Sequence, residues 1–294
     1  MRLAFLGTPE FAVPVLEALA DSHDVALVIS RADRRRSRRG QLEASPVKAA
    51  AQRLGIPTTE RVRDVTAWEI ELGVVVAFGR IIKEDVLRRV PMVNLHLSLL
   101  PRWRGAAPVQ RAILAGDQET GICLMSLDEG LDTGPVHGCD RMPIKSDDTA
   151  DELTDRLTQL GIPLLLRHLD EGLGSGSPQT GEATYAEKIT ADDLRLRWTD
   201  PAVALHRQIR VGAAWCRFRD RRLGVVDATW RTEPPEGDPG ELDPGELVSV
   251  EGGLAVAAGE GQLIVRQVKP EGRRSVPALD WANGARLVAG ERLE

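Results

Sequence analysis

The chain has 294 residues, 42% of them hydrophobic and 28% charged, with a formal net charge of −6. This composition is typical of a globular protein of one large or two ordinary domains, and the acidic balance argues against a general polyanion binder. Pro9, Glu10 and Pro14 interrupt the apolar N-terminus, and no run approaches the roughly 18–20 apolar residues that cross a bilayer. We therefore expect a cytoplasmic protein, which we take to be a monomer.

The cysteines are few and widely spaced. Cys123, Cys139 and Cys216 form no CxxC pair. This spacing predicts neither a zinc site nor a disulfide framework, which fits a reducing cytosol. No other set of residues has metal-ligand spacing, so we expect a reaction that needs no metal.

In the first half of the chain, short continuous apolar runs alternate with segments whose apolar residues have helical spacing. The predicted strands are Arg2–Gly7, Val25–Ser30, Gly73–Phe78 and Val90–Leu97, and the predicted helices are Phe11–Ala20, Ser45–Leu54 and Pro108–Ala115. This alternation predicts an α/β fold with a doubly wound, mostly parallel sheet, which binds ligands at the carboxyl ends of its strands. The opening Gly7-Thr8-Pro9 lacks the G-x-G-x-x-G spacing, so we predict no nicotinamide site.

The pattern changes in the last third of the chain. A long helix is predicted over Asp151–Leu173, and a Gly/Ser-rich stretch follows it. Short alternating segments separated by glycine turns come after Trp198, at Arg222–Thr229, Gly245–Val250, Gly253–Ala258 and Gln262–Val268. They predict a small β-barrel. We expect a catalytic domain over 1–176, a linker over 177–193 and a second domain over 194–294.

An amide and an imidazole stand two residues apart at the end of one predicted strand. Side chains at i and i+2 share a face of a strand, so Asn94 and His96 would reach toward the same object. Asp132 follows in a turn, although Asp128 and Glu129 lie close to it. An amide, an imidazole and a carboxylate suit acyl transfer, as oxyanion donor, proton shuttle and orienting base.

Arginines are concentrated at the exit of the second predicted strand. Six of them lie within nine residues, at positions 31, 34, 35, 36, 38 and 39. Such a run is either a solvated loop or a phosphate-binding element, and its contrast with the acidic whole favours the second. A further basic patch, Arg217–Arg222, is equally compatible with a nucleic-acid surface and with an exposed hairpin.

Several well-spaced motifs together resemble the folate-dependent formyltransferases. Asn94-x-His96-x-Ser98-Leu99-Leu100-Pro101 is similar to the active-site signature of that family. The continuation Arg102–Pro108, the opening Leu6–Ala12, the run Ser45–Lys48 and the segment Thr184–Ile189 are similar to the branch that acts on aminoacylated tRNA. The glycine-rich segment from Pro244 to Gly261 resembles the C-terminal domain of that branch. The resemblance covers nearly the whole chain.

The resemblance implies a Rossmann-like formyltransferase domain followed by an OB-like barrel that binds tRNA. It implies transfer of the formyl group of 10-formyltetrahydrofolate to the amino group of methionyl-initiator tRNA for translation initiation. Among the acidic residues near the predicted turn, it selects Asp132 as catalytic, beside Asn94 and His96. It places Ser98, Leu99, Leu100 and Pro101 against the folate, and Arg34, Arg36 and Arg38 against the tRNA.

The sequence departs from the family pattern in the arginine loop, where Ala32, Arg35 and Ser37 replace the usual prolines and glycines. Two alternatives stay open. One is a formyltransferase for another amine, such as glycinamide ribonucleotide or an amino sugar nucleotide, because the three catalytic residues are shared. The other is a catalytically silent RNA-binding relative.

Overall fold

A computed structural model describes residues 1–35, 41–232, 242–288 and 290–294, which divide into two compact units. The first comprises Met1–Arg111, Gln118–Ile144 and Glu152–Lys188, and the second comprises Ala112–Asp117, Lys145–Asp151 and Ile189–Glu294. None of the described helices is both long and apolar enough to cross a membrane.

Strands and helices alternate along the first unit. Its strands are β1 (Arg2–Gly7), β2 (Asp24–Ile29), β3 (Arg34–Arg35), β4 (Leu42–Glu43), β5 (Thr58–Thr59), β6 (Leu72–Val76), β7 (Met92–His96), β8 (Arg104–Gly105), β9 (Glu119–Ser126), β10 (Val136–Pro143) and β11 (Tyr185–Ala186). The α-helices along this part of the chain are α1 (Val13–Ser22), α2 (Pro46–Arg53), α3 (Glu84–Leu87), α4 (Pro108–Ala115) and α5 (Ala150–Glu171), and short 3-10 helices span Glu10–Ala12 and Val62–Ala67.

Seven strands form the main sheet in the order β10-β9-β7-β6-β1-β2-β5. β5, β2, β1, β6 and β7 pair in parallel, and β9 and β10 add an antiparallel hairpin at one edge. Strands buried on both faces are nearly all apolar, which is why β1 and β6 are continuous hydrophobic runs. The prediction of a doubly wound, mostly parallel sheet is confirmed.

The second unit is built on one antiparallel sheet. After α6 (Ala202–Val211), its strands are β12 (Trp215–Phe218), β13 (Arg221–Arg231), β14 (Leu247–Val250), β15 (Gly253–Ala257), β16 (Gln262–Pro270) and β17 (Val276–Pro277), followed by α7 (Ala278–Ala285). The strand order is β12-β13-β16-β15-β14, and β17 pairs with β16. The core of this unit includes Leu205 and Ile209 of α6, which are buried with Val225 and Val265 of the sheet. The prediction of a separate β domain is confirmed as one antiparallel sheet, and the closure of this sheet into an OB-like barrel stays a prediction.

The segment that was expected to be a linker, 177–193, contacts the first unit over most of its length. Ser177 and Val136 exchange two backbone hydrogen bonds of 2.8 Å, and β11 pairs in parallel with β8. Residues up to Lys188 accordingly belong to the first unit. The glycine and serine content of this stretch indicates an irregular backbone. It does not indicate which other segments of the chain that backbone contacts.

The expectation that no cysteine is in a disulfide is wrong. Cys123 on β9 lies directly opposite Cys139 on β10, and the two form a disulfide with a Cα–Cα distance of 4.1 Å. Their sequence separation is 16, and only the register of the hairpin brings them together. Cys216 is free and buried, and its burial raises the pKa of the thiol to about 12.

Candidate active site

The end of β7 presents the two predicted polar residues at the carboxyl edge of the parallel strands. Asn94 and His96 alternate with buried Leu95, so both side chains lie on the same face of the strand. The Asn94 side chain makes no hydrogen bond to any residue that the structure describes, so its amide is free to bind a ligand. The His96 side chain is 5% exposed.

Each nitrogen of the His96 ring faces an acceptor. Nε2 lies 2.8 Å from the carbonyl oxygen of Trp103, and Nδ1 lies 3.6 Å from Oδ2 of Asp132. A carbonyl oxygen only accepts, so the ring nitrogen beside Trp103 carries a proton. The distance to Asp132 is longer than a hydrogen bond. Hydrogen bonds of catalytic sites are often this long without substrate and shorten when the substrate binds.

The turn after β9 explains why Asp132, and not its acidic neighbours, faces His96. Asp128 accepts hydrogen bonds from the Gly130 N–H at 3.0 Å and from the Thr133 hydroxyl at 2.7 Å, so its carboxylate is committed to the turn. Glu129 is exposed. The side chain of Asp132 is only 12% exposed, and its Oδ2 also accepts the Gly105 N–H at 2.8 Å.

Two residues that hold the pair have left-handed backbones. Asp132 has φ +52° and Trp103 has φ +60°. Such conformations cost of order 1–3 kcal/mol each in residues other than glycine, and they persist where surrounding contacts over-determine them. The Trp103 N–H donates to the Thr184 hydroxyl at 2.9 Å, and the Arg104 N–H donates to the Thr184 carbonyl at 2.8 Å. The β11 segment thus supports the loop that carries the acceptor for His96.

The segment predicted to bind folate forms the first part of the same loop. Ser98 is fully buried, and its hydroxyl donates to the Arg102 carbonyl at 2.5 Å. This hydrogen bond stabilises the turn. The Leu99 side chain lies over Gly121 of β9. Leu100 and Pro101 are half-buried and joined by a cis peptide bond. They present apolar surface a few residues beyond His96.

The predicted tRNA-binding arginines are described only in part. Arg34 lies in β3, where its backbone pairs with Glu43 of β4. Arg36 and Arg38 lie outside the described residues. No group of three or more His, Cys, Asp or Glu side chains in the described ranges could hold a metal ion.

Gly134 closes the turn that carries Asp132, and it leaves no room for a side chain. A Cβ added there would lie 2.0 Å from the Ser126 carbonyl oxygen. We predict that Gly134→Ala displaces the turn and lowers kcat by about tenfold or more, because a shift of about 1 Å can cost on the order of 10²-fold. Steady-state kinetics and a thermal melt measure the effect.

Gly284→Ala is the matched control for this substitution. Gly284 lies in α7, where an added Cβ meets no atom within 4 Å. It should retain turnover and gain a little stability, since alanine is the better helix residue. Wild-type turnover in Gly134→Ala would contradict the proposed importance of the turn.

Sequence analysis missed several residues that hold the site. Trp103 and Gly105 act through backbone atoms, and Gln179 and Thr184 come from a segment far along the chain. Backbone contacts leave no signal in residue type. The similarity of Thr184–Ile189 to the family pattern was the one sequence feature that pointed to this segment.

The fold and the site together define a class of protein: a doubly wound α/β unit with a histidine–aspartate pair at its strand ends, followed by a smaller antiparallel β unit. Residues 1–169 match the formyl transferase family model, and residues 188–286 match the model of the formyl transferase C-terminal domain. The chain belongs to the formyl transferase family, within the methionyl-tRNA formyltransferases.

Two curated relatives support that placement. Methionyl-tRNA formyltransferase from Thermus thermophilus is 42% identical over 306 residues, which covers 100% of this chain and 99% of the relative. The enzyme of the same name from Halorhodospira halophila is 43% identical over 312 residues, with the same coverage of both chains.

Solved structures share the fold at lower identity. Methionyl-tRNA formyltransferase from Clostridium thermocellum superposes with a TM-score of 0.61 at 17% identity, covering 79% of this chain and 94% of its own. An N-formyltransferase from Helicobacter canadensis, solved with folinic acid and dTDP-3-aminofucose, gives a TM-score of 0.66 at 18% identity, covering 90% and 98%. Both similarities bear on the fold alone.

Proposed function

We propose that this protein transfers the formyl group of 10-formyltetrahydrofolate to the α-amino group of methionyl-initiator tRNA. The observation that carries the proposal is the buried His96–Asp132 pair beside the free amide of Asn94, at the ligand-binding edge of the sheet. The full-length relatives named above carry the same activity in their names.

The geometry suits attack of an amine on a formyl carbon. The neutral amine attacks, and the formyl oxygen becomes an oxyanion in a tetrahedral intermediate. Asn94 and protonated His96 stabilise this oxyanion, and single donors of this kind contribute about 2.7–4 kcal/mol in other enzymes. The attacking nitrogen becomes positively charged and gives up a proton. Asp132 orients His96 and relays this proton through water to N10 of the folate as the bond between N10 and the formyl carbon breaks.

The folate is proposed to lie along Ser98–Pro101. Leu99, Leu100 and Pro101 supply apolar surface for a planar ring, as small-molecule sites usually do. The buried Ser98 hydroxyl bonds to the Arg102 carbonyl, so we assign Ser98 the role of shaping this surface from beneath.

The second unit offers a basic surface for the tRNA. A cleft of ≈ 780 Å³ is lined by four exposed cations, Arg222, Lys269, Arg273 and Arg274, with Glu271 and the half-buried Trp215. The Arg222 guanidinium lies 4.4 Å from the centroid of the Trp215 ring. Phosphate contacts from such a cleft would position the tRNA without reading its sequence.

The arginines of the Arg217–Arg222 patch differ in what they contact, and the sequence alone did not decide between a nucleic-acid surface and an exposed hairpin. The Arg219 side chain binds Glu291 and the Ala285 carbonyl, so it is engaged within the second unit. Arg222 faces the cleft. We therefore place the tRNA contact at the Arg222 end of the patch.

A formylation assay tests the proposed function. Purified protein is given 10-formyltetrahydrofolate with methionyl-initiator tRNA, and in parallel with glycinamide ribonucleotide or an amino sugar nucleotide. We expect formylation of the tRNA only. Formylation of a small amine in its place would assign the other substrate class, and no transfer to any acceptor would indicate a silent relative.

The arginine loop provides a separate prediction about the tRNA. If Arg34, Arg36 and Arg38 bind phosphates, their replacement with alanine should raise the KM for tRNA and leave the KM for folate nearly unchanged. The dependence of binding on salt should also flatten, by roughly 0.7–0.9 log units per log unit of salt for each lost contact. Kinetics at several salt concentrations measure both effects.

The control removes three arginines from elsewhere on the first unit. Arg63, Arg88 and Arg141 form exposed ion pairs with Asp85, Glu84 and Glu119, and such pairs contribute little to stability. Their triple alanine variant makes the same change in net charge. An equal loss in both triple variants would indicate general electrostatic attraction, and no loss in the first would make the loop a solvated surface.

A further inference from the structure

We infer that Gln179 is a positioning residue for formyl transfer, acting through Asp132. Its side-chain amide donates two hydrogen bonds, from Nε2 to the Asp132 carbonyl at 2.8 Å and to the Gly134 carbonyl at 2.9 Å. One amide group thus binds the turn that carries the carboxylate at two points. This inference rests on the proposed function for its meaning, and on these contacts for its geometry.

The other end of the same side chain binds the second catalytic loop. Gln179 Oε1 accepts from Nε and Nη2 of Arg104, at 3.1 and 2.7 Å. The two residues that flank Arg104 are the ones that hold the pair: Trp103 provides the carbonyl next to His96, and Gly105 provides the N–H bound by Asp132. Gln179 therefore joins the loop that holds the imidazole to the turn that holds the carboxylate.

The backbone explains why such a connection is needed. Asp132 and Trp103 both have positive φ, a conformation that relaxes unless neighbouring contacts maintain it. Gln179 is itself anchored, because Ser177, two residues earlier, is paired with Val136 at the start of β10. Gln179 is half-buried, and all its described side-chain polar contacts are with these two loops. It is therefore placed to hold the two loops in the arrangement that catalysis needs.

Glutamine suits this position better than residues of similar size. Its N–H₂ group supplies two donors for two carbonyl oxygens, and its oxygen accepts from a guanidinium. Glutamate keeps the length and the bond to Arg104, but it would face the two carbonyls with an acceptor. Methionine keeps the approximate volume and removes both sets of bonds.

The first arm of the test compares Gln179→Met, Gln179→Glu and Thr180→Ala in formylation of methionyl-tRNA. Turnover is expressed per folate-binding site, so that a smaller fraction of folded protein does not lower the measured kcat. We expect Met and Glu variants to lose about 10–100-fold in kcat, with KM for both substrates within roughly threefold of wild type. Thr180 is exposed and adjacent, and its variant should match wild type.

The second arm is a double-mutant cycle with Asp132→Ala. If Gln179 acts through Asp132, adding Gln179→Met to Asp132→Ala should cost less than about a further twofold in kcat. The ring signals of His96 in histidine NMR spectra, assigned with a His96→Asn variant, should move in Gln179→Met toward their positions in Asp132→Ala.

The possible outcomes separate the two proposals. If wild type and Thr180→Ala fail to formylate methionyl-tRNA, the proposed function is wrong. If they succeed, the Gln179 proposal is overturned by an additional loss of more than about twofold in kcat in the Asp132→Ala background. It is equally overturned by normal turnover per site in Gln179→Glu or Gln179→Met, or by unchanged His96 signals in Gln179→Met.

Discussion

Replacing His96 with alanine is expected to lower kcat for formyl transfer by about 10²–10⁴-fold, while folate binding persists. An imidazole can both donate a hydrogen bond to an oxyanion and transfer a proton. The Trp103 carbonyl binds one side of the His96 ring, and the Asp132 carboxylate lies 3.6 Å from the other. An alanine would remove the side chain that both loops face.

The measurement is single-turnover formylation of methionyl-tRNA together with titration of a folate analogue. Loss of the ring removes the shorter of the two hydrogen bonds to the Trp103 carbonyl, so a circular dichroism melt must show that the variant is folded. His96→Asn, which retains an N–H donor in a smaller side chain, should recover a part of the loss at most. Near-normal turnover in His96→Ala would remove the proposed mechanism.

Replacing Asp132 with alanine should lower kcat by a similar order, about 10²–10⁴-fold, because an oriented imidazole loses most of its catalytic advantage without its carboxylate. Two consequences coincide here. The ring loses the anion beside Nδ1, and the Gly105 N–H loses its acceptor at 2.8 Å. The KM for either substrate should change much less, since neither of these two contacts is to a substrate.

Glu129→Gln is the control for this variant. It removes one negative charge from the same turn, but its side chain is exposed and makes no hydrogen bond to the described residues. Kinetics of the two variants therefore separate the effect of the carboxylate next to His96 from the effect of the overall charge of the turn. Equal activity in Asp132→Ala and Glu129→Gln would mean that Asp132 has no special role.

Much of the first unit could be predicted from periodicity. β1 and α4 were predicted at their observed bounds, and β2, α2 and β7 within one or two residues. These elements are local: a strand buried on both faces must be apolar throughout, and a helix capped by Ser45 begins where its hydroxyl accepts the Lys48 N–H. The β9–β10 hairpin was missed, and β10, a partly exposed edge strand of mixed polar and apolar residues, has no continuous apolar run.

The sequence by itself determined the chemistry of the strand end, since a period of two places Asn94 and His96 on one face wherever β7 lies. It also determined the order of an α/β unit and a β unit. Residue type and spacing left the carboxylate open, and the family resemblance selected Asp132. Only the tertiary structure decided what orients Asp132 toward the imidazole, which cysteines pair and what Gln179 binds. These depend on strand register, on left-handed turns and on backbone atoms of distant segments, and none of those is encoded in the type or spacing of nearby residues.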